Sequence, residues 1–536
     1  MNQTGLHTLD YLVFFLYLAI IGGYGYWIYK KKTNTSNTAS GFFLAEGSLT
    51  YWAIGASLIA SNISAEHFIG MSGSGFAIGL AISSYEWMAA AALIVVAIFF
   101  LPVYLKTKIY TMPQFLRQRY NPVVATTMAV FWLLLYIFVN LTSIIYLGAL
   151  ALEVTAGIQF EIAVVALALF AILITIGGMK VIGYTDVVQV IVLIIGGLIT
   201  TYLALDLVAK EFGKPDILSA FGTLKTQADT HFHMILKQDN PYYKDLPGLT
   251  VIIGAMWINN LNYWGCNQYI IQRTLGADLE TARKGILFAA FLKLLVPLIV
   301  VVPSIAAFVL HQNGIFQQEM VDAAGTIEPA HAYPVLLNLL PMGLKGVAFA
   351  ALTAAIVASL AGKANSISTI FTLDIYKLYI KPGASEKHLI RVGRIAVWVS
   401  MLIAVLIAPQ LKVLEQAYQF IQEYSSFITP GVFAIFFFGM FWKRATSAAA
   451  LTTALLTIPL SIAFKFWLPE IPFLNRMGIA FLILSAVMIG ISLSSKNKNN
   501  QGQIEIEMPS FNLSRSFIVG ATIICGILAA LYTAFW

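Results

Sequence analysis

Three ionisable residues, Glu86, Lys293 and Lys363, lie deep inside apolar runs of this chain, and Asp186 and Glu423 lie nearer the ends of such runs. A charge at bilayer depth costs about 3 kcal/mol or more, so each must pair, snorkel or face a wet cavity. His67, Asn260 and Gln422 add hydrogen-bonding groups in similar settings, without metal-ligand spacing. Together with Glu86 and Lys293 they form a mixed set of donors and acceptors. Such a set suits a neutral polyhydroxyl ligand, because each hydroxyl both donates and accepts. Tyr263 and Trp264, beside Asn260, offer ring faces on which an apolar sugar-like face stacks; ordinary packing or an interfacial aromatic belt is the alternative for each. There is no HExxH, CxxC or GxSxG, so intramembrane hydrolysis has little support.

The elements that must position these groups are membrane helices. Of the 536 residues 59% are hydrophobic and only 11% charged, against about a quarter charged in soluble domains. About fourteen runs are long enough to cross roughly 30 Å of hydrocarbon. They lie near 9–29, 50–77, 79–105, 122–155, 160–178, 183–208, 248–270, 282–311, 341–377, 390–409, 413–441, 446–467, 472–494 and 513–535. Lys30, Lys31 and Lys32 place the first loop in the cytoplasm, and alternation puts Arg117, Arg119, Arg273, Arg283, Lys284, Lys381 and Lys443 inside as well. The mixed-charge loop of 210–247 is the exception and forms an outside lid. Both termini then lie outside, and the first run, lacking a basic leader region, is a retained helix. The net charge of +7 is therefore topology rather than a nucleic-acid surface. Cys266 and Cys525 both lie in apolar segments and imply neither a disulfide framework nor a cysteine metal site.

One stretch breaks the rules for a membrane helix. In SLIASNISAEHFIGMSGSGFAIGLAISSYEWM, residues 57–88, apolar ends flank Asn62, Ser64, Glu66, His67 and a Ser/Gly run, with Glu86 following. Polar groups survive there only against protein or a cavity, and an interrupted helix beside carboxylates is how a transporter builds a midplane site. A second interruption occupies 416–440, with Gln422, Glu423, Ser425, Ser426 and Thr429-Pro430-Gly431. Pairing the spans into two five-helix halves opens the second half at 248–275, which carries its own polar run NNLNYWGCNQ. The expected organisation is one transmembrane domain: an extra helix at 9–29, repeats at 50–208 and 248–441, and additional helices at 446–536.

Over nearly its whole length the chain resembles the sodium:solute symporter family, and its sodium-coupled sugar carriers most of all. The matching stretches are ASLIASNISAEHFIGMSGSG, SYEWM, YIFVNLTS, YTDVVQV, YWGCNQYIIQRTL, FAAFLKLLVP, STIFTLDIYK and QAYQFIQEY. The resemblance implies an all-α fold whose core is two inverted five-helix repeats of the LeuT type, with broken first and sixth core helices. Carried over by position, sugar contacts fall on Glu86, Asn260, Lys293 and Gln422, with His67 where galactose carriers have glutamine and mammalian glucose carriers have histidine. Tyr263 matches an inner gate beneath the sugar ring, and Asn62 lies where its hydroxyl would be held. Met71, Tyr85 and Tyr136 match an outer apolar lid. Ala89 replaces a serine that contacts sugar, which bears on the choice between glucose and galactose.

The resemblance also implies a sodium ion held by oxygens at Ala60, Ile63, Ala355, Ala358 and Ser359, although Ala358 lacks the family's hydroxyl. Lys363 stands where an apolar residue is usual. It lies four residues after Ser359, on the same helix face, and helical side chains lean toward the N-terminus. Its ammonium can thus reach back to occupy the ion site or repel the ion, by roughly 4 kcal/mol at about 4 Å and an effective dielectric of about 20. Alternatively it pairs with Asp186, which matches an acidic residue on the family's ion-exit path.

The reading is a non-enzymatic symporter of a galactose- or glucose-type hexose, driven by sodium through alternating access in the inner cell membrane. Its partners would be a small-molecule sugar, sodium and the lipid bilayer, with no nucleic acid and no bound cofactor; a homodimer stays open. Alternatives from the altered ion site are a sodium-independent or proton-coupled carrier, a facilitator, or a sugar sensor. A carrier of another solute, such as a carboxylate or amino acid, is disfavoured by the retained polar set.

Overall fold

The computed structural model describes residues 6–30, 39–45, 49–321, 325–413, 423–495 and 512–536. These residues are almost entirely helical, with a single isolated β-bridge between Val321 and Ile327. In chain order the spans begin with α1 (Thr8–Lys30) and a broken pair. The pair is α2 (Tyr51–Asn62) and α3 (Ser72–Ala77), the latter entered through the π-helical turn Glu66–Met71. Then come α4 (Leu80–Lys106), α5 (Pro122–Ala156), the shorter α6 (Phe160–Thr175) and α7 (Met179–Glu211). A second broken pair follows, α8 (Ala255–Cys266) and α9 (Gln268–Leu275). The last seven are α10 (Leu279–Gln312), α11 (Leu344–Ile380), α12 (Glu386–Leu411), α13 (Glu423–Phe441), α14 (Ser447–Trp467), α15 (Phe473–Ser494) and α16 (Arg515–Ala534). Among the described residues, 11 helices are long and apolar enough to cross a membrane. The shorter apolar α6 and the two broken pairs stand outside that count.

Burial separates frame from periphery. In α11, 89% of the apolar window is buried, against 17% in α16 and 22% in α1. The α11 sequence AFAALTAAIVASLAGKANS is rich in small residues, which let neighbouring backbones approach closely where packing drives association. The helices α1, α2, α6, α7 and α12 all pack on it. Across α2 from α11 runs α10, which also packs on α4 and α7 and carries Pro297 and Pro303 inside the helix. Each proline removes one backbone hydrogen bond, to the carbonyl four residues earlier.

Both breaks are closed by specific partners. At the end of α2, Ile63 is extended (φ −70°, ψ 124°) and donates its N–H to the Ile59 carbonyl at 2.8 Å. Past the break, the Ser64 hydroxyl accepts the Glu66 N–H at 3.2 Å. Between α8 and α9, Asn267 is extended (φ −85°, ψ 132°). Here the Tyr136 hydroxyl, from a π-helical stretch of α5 (Leu135–Leu141), donates to Asn267 Oδ1 at 3.1 Å and accepts the Gln268 N–H at 3.2 Å. Buried glutamines continue the connection: Gln268 Nε2 donates to Gln272 Oε1 at 3.1 Å, and Gln272 Nε2 to Thr369 Oγ1 on α11 at 2.8 Å.

Two further features tie the ends together. The buried Asp10 on α1 accepts the N–H groups of Gly343 and Gly346 at 2.7 and 3.0 Å, and so caps the start of α11 from another helix. In the loop between α7 and α8, His231 Nε2 lies 3.0 Å from the Phe76 carbonyl, and its ring stacks 4.0 Å from Phe308. Gly79 makes this approach possible. Its φ is +88°, and a Cβ there would come within 2.4 Å of the His231 carbonyl oxygen.

Three arginines read from the sequence as loop charges are instead buried: Arg119, Arg273 and Arg283. Arg119 clamps the end of α13, donating to the carbonyls of Gly439 at 2.6 Å and Trp442 at 3.0 Å. Helix ends leave such carbonyls without intrahelical partners, and a cation there is favoured by the dipole.

Candidate substrate and ion site

The first break determines one wall of the site. The Ser64 N–H, released from helical bonding, donates to His67 Nδ1 at 3.4 Å. This leaves the imidazole proton on Nε2, which lies 3.4 Å from Glu86 Oε1. From α10, the Lys293 ammonium donates to Glu86 Oε2 and to Asn62 Oδ1. Both oxygens of a buried carboxylate are thus engaged, and the charges of Glu86 and Lys293 cancel within the wall. Trp264 lies beneath Lys293, its ring centroid 5.1 Å from the ammonium.

The second broken pair supplies the aromatic floor. Tyr263 on α8 accepts a hydrogen bond from Asn62 Nδ2 at 2.9 Å, linking the two broken helices directly. Its ring meets Trp264 edge-on at 5.1 Å and Tyr269 at 5.7 Å. Between walls and floor lies a cavity of about 140 Å³, enough for about ten water-sized groups.

Asn62, His67, Met71, Tyr85, Glu86, Asn260, Tyr263, Trp264 and Lys293 all line this cavity, as does Ala89. Asn260 also donates to the Met256 carbonyl at 3.1 Å. Tyr136 does not join Met71 and Tyr85; it is fully buried against Tyr269 and Asn267, bracing the second break. Gln422 lies outside the described residues, but Ser425, Ser426 and Thr429, which follow it on α13, line the cavity. Asn140, Asn259, Asn262 and Glu66 also line it, none of which the sequence reading assigned as a substrate contact, although Glu66 stood in its first interrupted helix. Asn262 Nδ2 donates to Thr429 Oγ1 at 3.3 Å, while its buried Oδ1 has no protein partner among the described residues. The clustering of asparagines in NNLNYWGCNQ was the available signal, since 259 and 262 are three apart and share a helix face.

The expected ion ligands lie where α2 ends against α11. Ala60, Ile63, Ala355, Ala358 and Ser359 are all buried, and Ser359 Oγ donates to the Ser61 carbonyl at 3.0 Å. Lys363 does reach back one turn: its ammonium donates to Ser359 Oγ at 2.9 Å and lies 4.6 Å from the Tyr269 ring centroid. The alternative pairing with Asp186 is not formed. Asp186 instead accepts the Ser57 hydroxyl at 2.5 Å and lies 3.8 Å from Arg273. Arg273 in turn donates to the Ser57 carbonyl at 3.0 Å and to the Ser61 hydroxyl. Room for that guanidinium comes from Gly362, where a Cβ would sit 2.6 Å from it.

Known proteins place this geometry in context. The model of the sodium:solute symporter family matches residues 42–457. A sodium/glucose cotransporter of Vibrio parahaemolyticus is 47% identical over 542 residues, covering 100% of this chain and 99% of that protein. A sodium/myo-inositol cotransporter 2 of Sus scrofa is 34% identical over 86% of this chain and 70% of its own length. Among solved structures, a Na+-coupled sialic acid symporter in a substrate-bound outward-open state superposes with a TM-score of 0.80 at 22% identity, over 93% of this chain and 100% of that one. That likeness shows the fold, a LeuT-type core of inverted repeats whose broken first and sixth helices are α2–α3 and α8–α9. With a family match over most of its length and a full-length relative at near half identity, the chain belongs to the sodium:solute symporter family and is a sodium-coupled solute symporter.

Proposed function

We propose that the solute is a neutral hexose of the galactose or glucose type, carried with sodium by alternating access across the cell membrane. The observation that supports this most is the Glu86 carboxylate, held by Lys293 at one oxygen and faced by His67 at the other. A wall whose charges already cancel offers fixed donors and acceptors but no net charge, which favours a neutral, hydroxyl-rich ligand over a carboxylate or amine. The amides of Asn62, Asn260 and Asn262 and the rings of Tyr263 and Trp264 extend the same chemistry. The names of the sodium/glucose and sodium/myo-inositol cotransporters point to polyhydroxyl solutes too. Sodium bound between α2 and α11 would favour one conformation over the other, as coupling requires. The lysine-rich loops put both termini outside.

A second reading, carriage with weakened sodium coupling, is favoured by the Lys363 contact with Ser359. Uptake of labelled glucose and galactose into proteoliposomes separates the two. An inward sodium gradient should drive accumulation above equilibrium. Equal, non-concentrative uptake in sodium and potassium would overturn sodium-driven symport in favour of facilitation. Competition only by charged solutes would overturn the hexose.

A further inference from the structure

Helix α2 ends inside the protein at Asn62, so its last carbonyls lack partners one turn on, and the negative end of its dipole points into the break. Two cationic side chains of the protein meet that end. Arg273 is balanced by Asp186 at 3.8 Å. Lys363 has no carboxylate so close. It is only 3% exposed, and among the described residues no carboxylate lies within ion-pair distance of it. Its ammonium spends its contacts on Ser359 Oγ at 2.9 Å and the Tyr269 ring face at 4.6 Å. Ser359 passes the polarisation on, donating to the Ser61 carbonyl at 3.0 Å.

The run from ammonium to hydroxyl to carbonyl joins α11 to α2, while the ring contact joins α11 to α9. The first of these is the connection a cation held by the oxygens of α2 and α11 would make. Lys363 also lines the cavity, and so does Glu66, whose carboxylate accepts the Ser143 hydroxyl at 3.2 Å. The flexible lysine stem therefore has a second destination with an opposite charge in view.

We propose that Lys363 is a resident cation at the break of α2, and that sodium reaches the Ser359 hydroxyl only when the ammonium swings into the cavity toward Glu66. Ammonium and sodium then exclude one another at this hydroxyl. The sodium concentration that half-saturates the protein is set high by its own side chain, whatever solute is carried.

Equilibrium binding of radioactive sodium to the purified full-length protein, without sugar, tests this directly. Lys363→Met should bind sodium with a half-saturating concentration lower by about tenfold or more, given the repulsion between two cations a few ångströms apart. Lys363→Arg, which keeps the charge, should stay near the parent protein. Lys363→Gln provides the same test should the methionine variant not fold. Unchanged or weaker sodium binding in the folded neutral variants would overturn the proposal. Because no sugar enters the measurement, failure to transport hexose would overturn the proposed solute and leave this result standing.

Discussion

His67 accepts the Ser64 N–H at Nδ1 and so presents Nε2–H to Glu86 Oε1, each contact 3.4 Å long. A kink in the backbone thereby selects one tautomer of the ring, and the ring orients one oxygen of the carboxylate.

His67→Ala should weaken affinity for the proposed hexose by about tenfold, the loss expected when a buried charged group forfeits one hydrogen bond. His67→Gln keeps a donor in reach and should lose little. Concentration dependence of uptake into proteoliposomes checks both, and equal losses in the two variants would contradict the donor role.

Lys293→Met leaves the Glu86 carboxylate buried without its countercharge, which costs about 3–5 kcal/mol. A lower melting temperature in detergent is expected. Adding Glu86→Gln should restore most of the stability without restoring uptake. If the double variant were the least stable of the set, the pair would not be the cause.

Tyr263→Phe removes the hydroxyl that accepts from Asn62 but keeps the ring contacts with Trp264 and Tyr269. Stability should fall by about 1 kcal/mol, with uptake retained, whereas Tyr263→Ala should abolish concentrative uptake. Thermal unfolding and uptake together distinguish a structural hydroxyl from a gating ring.

Asp10→Ala strips the cap from α11 and should cost about 1–2 kcal/mol, read as a shift of the melting curve. Asp10→Asn, which still offers an oxygen to Gly343 and Gly346, should recover most of it.

Burial holds the His231 imidazole below its ordinary pKa, with the Phe76 carbonyl partly offsetting this. The docked loop therefore binds fewer protons than the undocked one once pH falls below about 6.5, the free imidazole value. Docking is at full strength above that pH and weakens as it drops. The protection of amides 229–234, taken relative to the intrinsic exchange rate at each pH, should fall between pH 7 and pH 5.5, and His231→Phe should remove that fall.

Much of this architecture was legible because a bilayer leaves few options: apolar length gives the spans, and polar residues inside them give the breaks. Helical periodicity alone placed Lys363 against Ser359, a contact within one element. What it could not choose between was Ser359 and Asp186, because the partner of Asp186 comes from α9, far away in sequence. For the same reason Arg273 read as a topological charge, and only the approach of α2, α7, α9 and α11 shows it buried among Ser57, Ser61 and Asp186. Tyr136 was aligned to a lid by its position in the chain. Its hydroxyl serves a backbone break in another helix, which no local pattern announces.

The prolines of α10 have a mechanical consequence. Pro297 cannot bond the carbonyl of Lys293, and Pro303 cannot bond that of Ile299. The helix is thus most compliant one turn from the ammonium that grips Glu86 and Asn62. Bending there costs no further backbone hydrogen bond, and it swings one half of α10 against the other about the residue that holds the polar wall. The polar wall and the unbonded carbonyl of Lys293 thus share one turn of α10.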